Sequence, residues 1–210
     1  MSSNSLARAL MRCKPVTALV DEHGGGKGHL SRSIGLFQLT MLGVGATIGT
    51  GIGTGVVRDG RSLMGISHFE SGHIVAPRDR VRDPFPGICP FHGDCLEGLA
   101  CGPAIERRWG KSLDQLGHDE TKLIASYIAH LASTLVLLHM PDRLIFGGGV
   151  MKAPGLVEAV RRETAAKLNG YISHPRLDEG LQSYIVTPGL GDDAGITGAI
   201  ELGRQALAKG

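Results

Sequence analysis

The stretch from His68 to Gly98 constrains this chain most. It holds four prolines, Pro77, Pro84, Pro86 and Pro90, and shows neither a helical nor a strand period. An unstructured excursion of that length is uncommon in a compact domain unless something ties it down. The run Cys89-Pro90-Phe91-His92-Gly93-Asp94-Cys95 offers a tie. Cys, His and Cys fall at three-residue intervals, Gly93 permits the chain to curl, and Pro90 stiffens the curl. Zinc takes four nitrogen or sulfur ligands at tetrahedral angles, often two of them from one short loop. Cys89, His92 and Cys95 supply three. The nearest good candidate for the fourth is His73, and a metal there would clip residues 73–95 into one loop. Two other readings stay open: ordinary polar residues of a reduced protein, or a redox site. The second is weaker, because Cys89 and Cys95 lack Cys-x-x-Cys spacing. Cys101 reads as a small buried hydrophobe.

Bulk properties narrow the class. Three of the four cysteines lie within thirteen residues, unlike the even scatter of a secreted disulfide framework. A formal charge of +2 implies no polyanionic partner, and 4% aromatic content argues against a base-stacking surface for nucleic acid. The N-terminus has no continuous apolar core of a signal peptide, and the apolar stretch Ile34–Ile48 is too short and glycine-rich to span a membrane. A cytoplasmic protein is the expectation.

Along the chain, residues 1–33 have weak periodicity, with a short helix expected near Leu6–Arg12 and a loop at Gly24–Gly28. Leu36–Ile48 has strand character. A glycine turn at Gly49–Gly55 and a strand from Val56 to an Asp-Gly turn would complete a hairpin. Gly102–Glu106 opens a helix with Pro103 in its first turn. Asp119–Met140 carries apolar residues at helical spacing and is stopped by Pro141. Then come a strand at Arg143–Phe146, a loop at Gly147–Gly149, a helix at Pro154–Leu168, a strand at Leu181–Thr187, a loop at Gly189–Asp193 and a helix at Ala194–Ala208. This alternation is an α/β pattern.

Six motifs together resemble the fructokinase branch of the ROK family (repressors, open reading frames, kinases). They are Ile48-Gly49-Thr50-Gly51-Ile52-Gly53, Glu70-Ser71-Gly72-His73, Cys89 to Gly98, Gly102-Pro103-Ala104-Ile105-Glu106, Phe146-Gly147-Gly148-Gly149-Val150-Met151, and Pro188 to Gly195. The resemblance covers about residues 45–205. It implies the actin-like ATPase (ribonuclease H-like) fold, mainly its C-terminal lobe, with residues 1–44 a divergent remnant of the N-terminal lobe and 45–210 the kinase domain. It implies ATP-dependent phosphorylation of fructose to fructose 6-phosphate, with Mg-ATP and structural zinc as cofactors. It assigns His73, Cys89, His92 and Cys95 to zinc, and Glu70, His73 and Glu97 to the sugar. Thr50, Gly51, Gly53, Pro103 and Gly147, Gly148, Gly149, Val150 and Met151 are assigned to ATP. Family kinases are commonly dimers, so a homodimer is the expected assembly.

On their residues alone, Glu70 and Glu97 read as solvated loop carboxylates, and each glycine run as a tight turn. The first forty-odd residues depart from the family pattern. Its first phosphate loop and its catalytic Asp segment are not found, and the position expected for that Asp falls near Cys13. Asp21 reads as a helix-end or loop carboxylate rather than a base. The expectation is therefore a truncated or rewritten N-terminus and no identified catalytic residue. The alternative reading is a zinc-containing sugar-binding module or kinase fragment without turnover.

Overall fold

The computed structural model describes residues 44–48, 51–59, 61–178 and 180–207. The helix expected near Leu6–Arg12, the loop at Gly24–Gly28, Asp21 and Thr50 lie outside them.

Five strands form one mixed sheet. β1 (Val44–Ile48) and β2 (Ile52–Arg58) make an antiparallel hairpin, with Val44 opposite Val56 and Ile48 opposite Ile52. β3 (Arg61–Leu63) follows the turn at Asp59 and pairs antiparallel with β2. On the other side of β1 lies β4 (Leu144–Gly147), parallel to it, and then β5 (Ile185–Val186), parallel to β4. The order is β3-β2-β1-β4-β5. A parallel neighbour needs a long crossover, and between β1 and β4 the chain inserts the proline-rich loop and three helices. These are α1 (Leu96–Ala100), α2 (Gly102–Trp109) and α3 (His118–His139). α4 (Leu156–Leu168), α5 (Pro175–Asp178) and, after β5, α6 (Ala194–Leu207) complete the order.

The core lies on α3. Ile124, Ile128, Leu131 and Leu135 recur along it at helical spacing and are buried with Leu144 and Phe146 of β4 and with Leu156 and Val160 of α4. By length and composition alone α3 could cross a membrane, but 56% of its apolar window is buried inside the fold, as in a core helix. Met140 adopts a left-handed conformation at its end, and Pro141 follows.

Three elements differ from the sequence reading. The glycine turn is shorter than Gly49–Gly55, because β2 already begins at Ile52 and the hairpin register pairs Gly53 with Thr47. The strand expected over Leu181–Thr187 shrinks to Ile185–Val186. Residues 181–184 instead make a turn, in which the Tyr184 and Ile185 amides both donate to the Leu181 carbonyl. The stretch 68–98 is not wholly irregular: it holds a 3-10 turn at Ser71–His73 and ends in the start of α1, capped by the Cys95 sulfur accepting from the Gly98 amide.

Candidate functional site

The loop before α1 folds back on itself at the Cys89–Cys95 segment. The Cys89 amide donates to the Gly93 carbonyl at 3.1 Å, and the Gly93 amide returns a bond to the Cys89 carbonyl at 2.9 Å. Gly93 holds φ of 64°, a conformation that side chains disfavour. The Leu96 amide donates to the Ile74 carbonyl, and Val75 bridges Cys95, so the strand-like start of the loop lies against its end. This brings His73 to the knuckle.

The ligand atoms of His73, Cys89, His92 and Cys95 all lie within 4.8 Å of one another. Cys89 Sγ is 3.7 Å from both His73 Nδ1 and His92 Nδ1, and Cys95 Sγ is 3.5 Å from His73 Nδ1. Zinc bonds of about 2.3 Å to sulfur and 2.0–2.1 Å to nitrogen, at a tetrahedral angle, separate S from N by about 3.6 Å. The separations and the donor set therefore fit a four-coordinate zinc. Burial pushes the Cys95 thiol up to about 11, with its sulfur beside Cys89. Zinc binds the thiolate, so ligation there would displace the thiol proton. Cys89, Cys95 and Cys101 are all free and buried.

Glu97 connects this cluster to the hairpin. Its Oε2 accepts from the Ile52 amide at 2.8 Å, at the start of β2, and its Oε1 lies 3.8 Å from His73 Nε2. His73 thus turns Nδ1 to the cluster and Nε2 to Glu97. Glu70 lies on the same 3-10 turn, where its carbonyl accepts from the His73 amide. Its carboxylate is 60% exposed and meets His68 Nε2 at 2.5 Å. Gly72 fits between these groups because it lacks a side chain. A Cβ there would sit 2.0 Å from the Ile52 carbonyl oxygen. Gly72→Ala should therefore displace β2 and destabilise the protein by about 1–3 kcal/mol, read from a urea unfolding curve. A loss below about 0.5 kcal/mol would contradict this contact.

The glycines expected to face a nucleotide divide into two kinds. A Cβ at Gly53 or Gly149 would meet nothing within 4 Å, so those backbones border open space. Gly147 is packed, with Pro188 Cγ 2.7 Å from a Cβ placed there, and Gly148 has φ of 95°. A Cβ at Gly51 would approach Glu97 Oε2 to 2.9 Å, which puts the Glu97 carboxylate against the start of β2. Val150 and Met151 bury their side chains in the core, leaving only backbone for a ligand. Pro103 is exposed in the first turn of α2.

A second anchor for the loop was not foreseen. Asp83, 3% exposed, accepts from the Tyr127 hydroxyl at 2.5 Å. Arg108 of α2 lies 3.2 Å from Asp83 Oδ2 as a charge contact, and its guanidinium stacks over Phe85 at 4.5 Å and Trp109 at 4.9 Å. Burial pushes the Arg108 guanidinium down, opposed by Asp83, and none of its nitrogens has hydrogen-bond geometry to a partner among the described residues. Arg78 donates to the Asp83 carbonyl at 2.8 Å. The only sequence signal was the Asp83-Pro84 pair, which reads as a turn. Tyr127 lies 44 residues away, so no local pattern joins them.

The ROK family model matches residues 38–206. This chain belongs to the ROK family. Among its relatives, a fructokinase of Zymomonas mobilis is 43% identical over 174 residues, covering 81% of this chain and 56% of its own. A putative fructokinase of Bacillus subtilis is 43% identical over 163 residues, covering 77% of this chain and 54% of its own. The chain therefore spans little more than half the length of these relatives. A ROK hexokinase structure from Thermus thermophilus superposes with a TM-score of 0.59 at 28% identity, covering 75% of this chain and 55% of that one. The mixed sheet with its crossover helices is part of the actin-like fold of ROK sugar kinases.

Proposed function

We propose that this ROK chain forms the sugar-binding and part of the ATP-binding half of a fructokinase, which transfers a phosphoryl group from Mg-ATP to fructose. The observation that carries this reading is Glu97. One carboxylate touches the β1–β2 turn, the candidate phosphate loop, and the histidine of the metal cluster. Such a residue brings a sugar hydroxyl and a phosphoryl group to one place, and positioning is most of what phosphoryl transfer requires. The names of the 43%-identical relatives support fructose as the acceptor.

In this reading Glu70, Glu97 and the Nε2 edge of His73 accept or donate hydrogen bonds to sugar hydroxyls. His73, Cys89, His92 and Cys95 hold zinc, which supplies a fixed loop so that the carboxylates are ordered before the sugar arrives. The backbones of Gly51, Gly53, Gly147, Gly148 and Gly149, with Thr50, Pro103, Val150 and Met151, take the nucleotide. Residues 1–44 are assigned to a remnant N-terminal lobe, and no residue is assigned as the base. A homodimer and a cytoplasmic location complete the proposal.

The test is ATP-dependent phosphorylation of fructose by the purified, zinc-loaded chain, with fructose and ATP affinities measured by calorimetry. Fructose binding is expected; turnover reduced by two to four decades is the size of effect that a missing base produces. No fructose affinity at millimolar concentration would sink the sugar assignment. The nucleotide assignment has its own test in Gly53→Ala. Open space around Gly53 predicts a stability change within about 0.5 kcal/mol. A methyl group facing the phosphates should nevertheless weaken ATP binding about tenfold, and unchanged ATP affinity would remove Gly53 from the site.

A further inference from the structure

Two histidine–glutamate pairs occupy the candidate sugar site, and only one has been explained. His73 faces Glu97 and turns its other ring nitrogen to the candidate zinc ligands Cys89 and Cys95. His68 faces Glu70 and has no metal to hold it. It is held instead by a hydroxyl. Ser67 Oγ lies 3.3 Å from His68 Nδ1, and His68 Nε2 lies 2.5 Å from Glu70 Oε1.

One neutral tautomer satisfies this chain of contacts. The Ser67 hydroxyl donates to Nδ1, and the Nε2 proton is donated to the carboxylate. The intervening backbone is pinned. The Phe69 carbonyl accepts from Thr54 Oγ1 of β2 at 3.3 Å, and Thr54 is buried. Gly65 donates to the Ser67 carbonyl at 3.1 Å. Among the described residues the second oxygen of Glu70 has no partner, while the carboxylate as a whole is exposed. An exposed glutamate ordinarily samples several rotamers, and ordering it on binding costs affinity. Here one oxygen is already tethered and the other is open.

We propose that His68 is a positioning residue: it holds Glu70 by one carboxylate oxygen and presents the other to a sugar hydroxyl. Ser67 sets the tautomer that makes this donation available. The inference rests on the sugar-site reading of Glu70. It gives the two carboxylates matched supports, one imidazole fixed by a metal and one by a serine.

The experiment uses the full zinc-loaded chain and its His68→Ala, His68→Gln and Ser67→Ala variants. Fructose affinity is measured by calorimetry, and the His68 ring nitrogens are observed by 15N NMR with and without Glu70→Gln. His68→Ala should weaken fructose binding about tenfold. His68→Gln retains an amide donor at similar reach and should recover most of that loss, which lost packing alone would not show. Ser67→Ala should shift the ring toward a mixture of tautomers. Fructose affinity equal to that of the unchanged chain in both His68 variants would overturn the proposal. Should the unchanged chain bind no fructose, the sugar reading fails separately, and the NMR then decides the positioning. His68 signals that move on Glu70→Gln support the tether, and signals that stay put overturn it.

Discussion

Removing zinc with a chelator is expected to release residues 89–95 from the fold and to abolish fructose binding. The size of the effect follows from a comparison of magnitudes. Structural zinc sites contribute apparent free energies of about 10–16 kcal/mol in small metal-folded peptides, while a whole domain is stable by about 5–15 kcal/mol. Phe85 and Ile88 pack against the core, whereas from Cys89 to Cys95 the chain is ordered chiefly by its own backbone bonds and by Asp94 with Arg78 and Arg80. The Cys89 and Gly93 amides, which close the knuckle by reciprocal bonds, should lose hydrogen-exchange protection by orders of magnitude. The core on α3 should persist, because its packing does not involve the four ligands. Cys95→Ala should reproduce the chelated state, and Cys101→Ala, at an equally buried cysteine, should retain one zinc per chain. Wild-type protein that purifies without zinc and protects those amides equally well would refute the site.

The second large effect is expected at Asp83. Its carboxylate is the one anion in contact with the buried Arg108 among the described residues, and it also takes the Tyr127 hydroxyl. Removing one partner of a buried pair leaves an uncompensated charge and costs about 3–5 kcal/mol. Asp83→Ala should therefore lower stability by that amount in urea. Asp83→Asn can still accept from Tyr127, yet it leaves the guanidinium without its counter-charge, so it should recover little. The decisive comparison is Asp83→Ala with Arg108→Met. The double variant removes both charges and should be more stable than Asp83→Ala alone. If the two substitutions are simply additive, the pair does not clamp the loop.

These two anchors divide the loop's stability between a part that can be seen in a sequence and a part that cannot. Cys89, His92 and Cys95 stand at regular intervals in one short run, and the chemistry of zinc restricts what such a run can do. His73 was reachable as the nearest remaining ligand. The Asp83 network has no such signature. Asp83, Arg108 and Tyr127 belong to three elements, and each is an ordinary residue in its own neighbourhood. Their partnership arises because Asp83 of the loop reaches both Arg108 of α2 and Tyr127 of α3.

The same distinction explains the elements. α3 and α4 were legible because apolar residues recur at helical spacing and Pro and Gly punctuate their ends. The β1–β2 hairpin was legible as strands around glycine, but not its register, since glycines carry no facing preference. Ladder pairing with β1 starts β2 at Ile52, inside the stretch expected as a turn. The strand at Leu181–Thr187 failed for a comparable reason. Its apolar residues are buried as expected, but two amides turn to the Leu181 carbonyl, and Arg161 takes the Ile185 carbonyl at 2.9 Å.

By itself the sequence determined the family, through its motifs, and the α/β pattern, through helical spacing and glycine turns, because these depend on short stretches of chain. Only the tertiary structure decided that Glu97 joins Ile52 to His73, that His68 tethers Glu70, and that Asp83 lies under Arg108 and Tyr127. Those contacts join residues through space, and their energies come from burial and charge that no short stretch of chain contains.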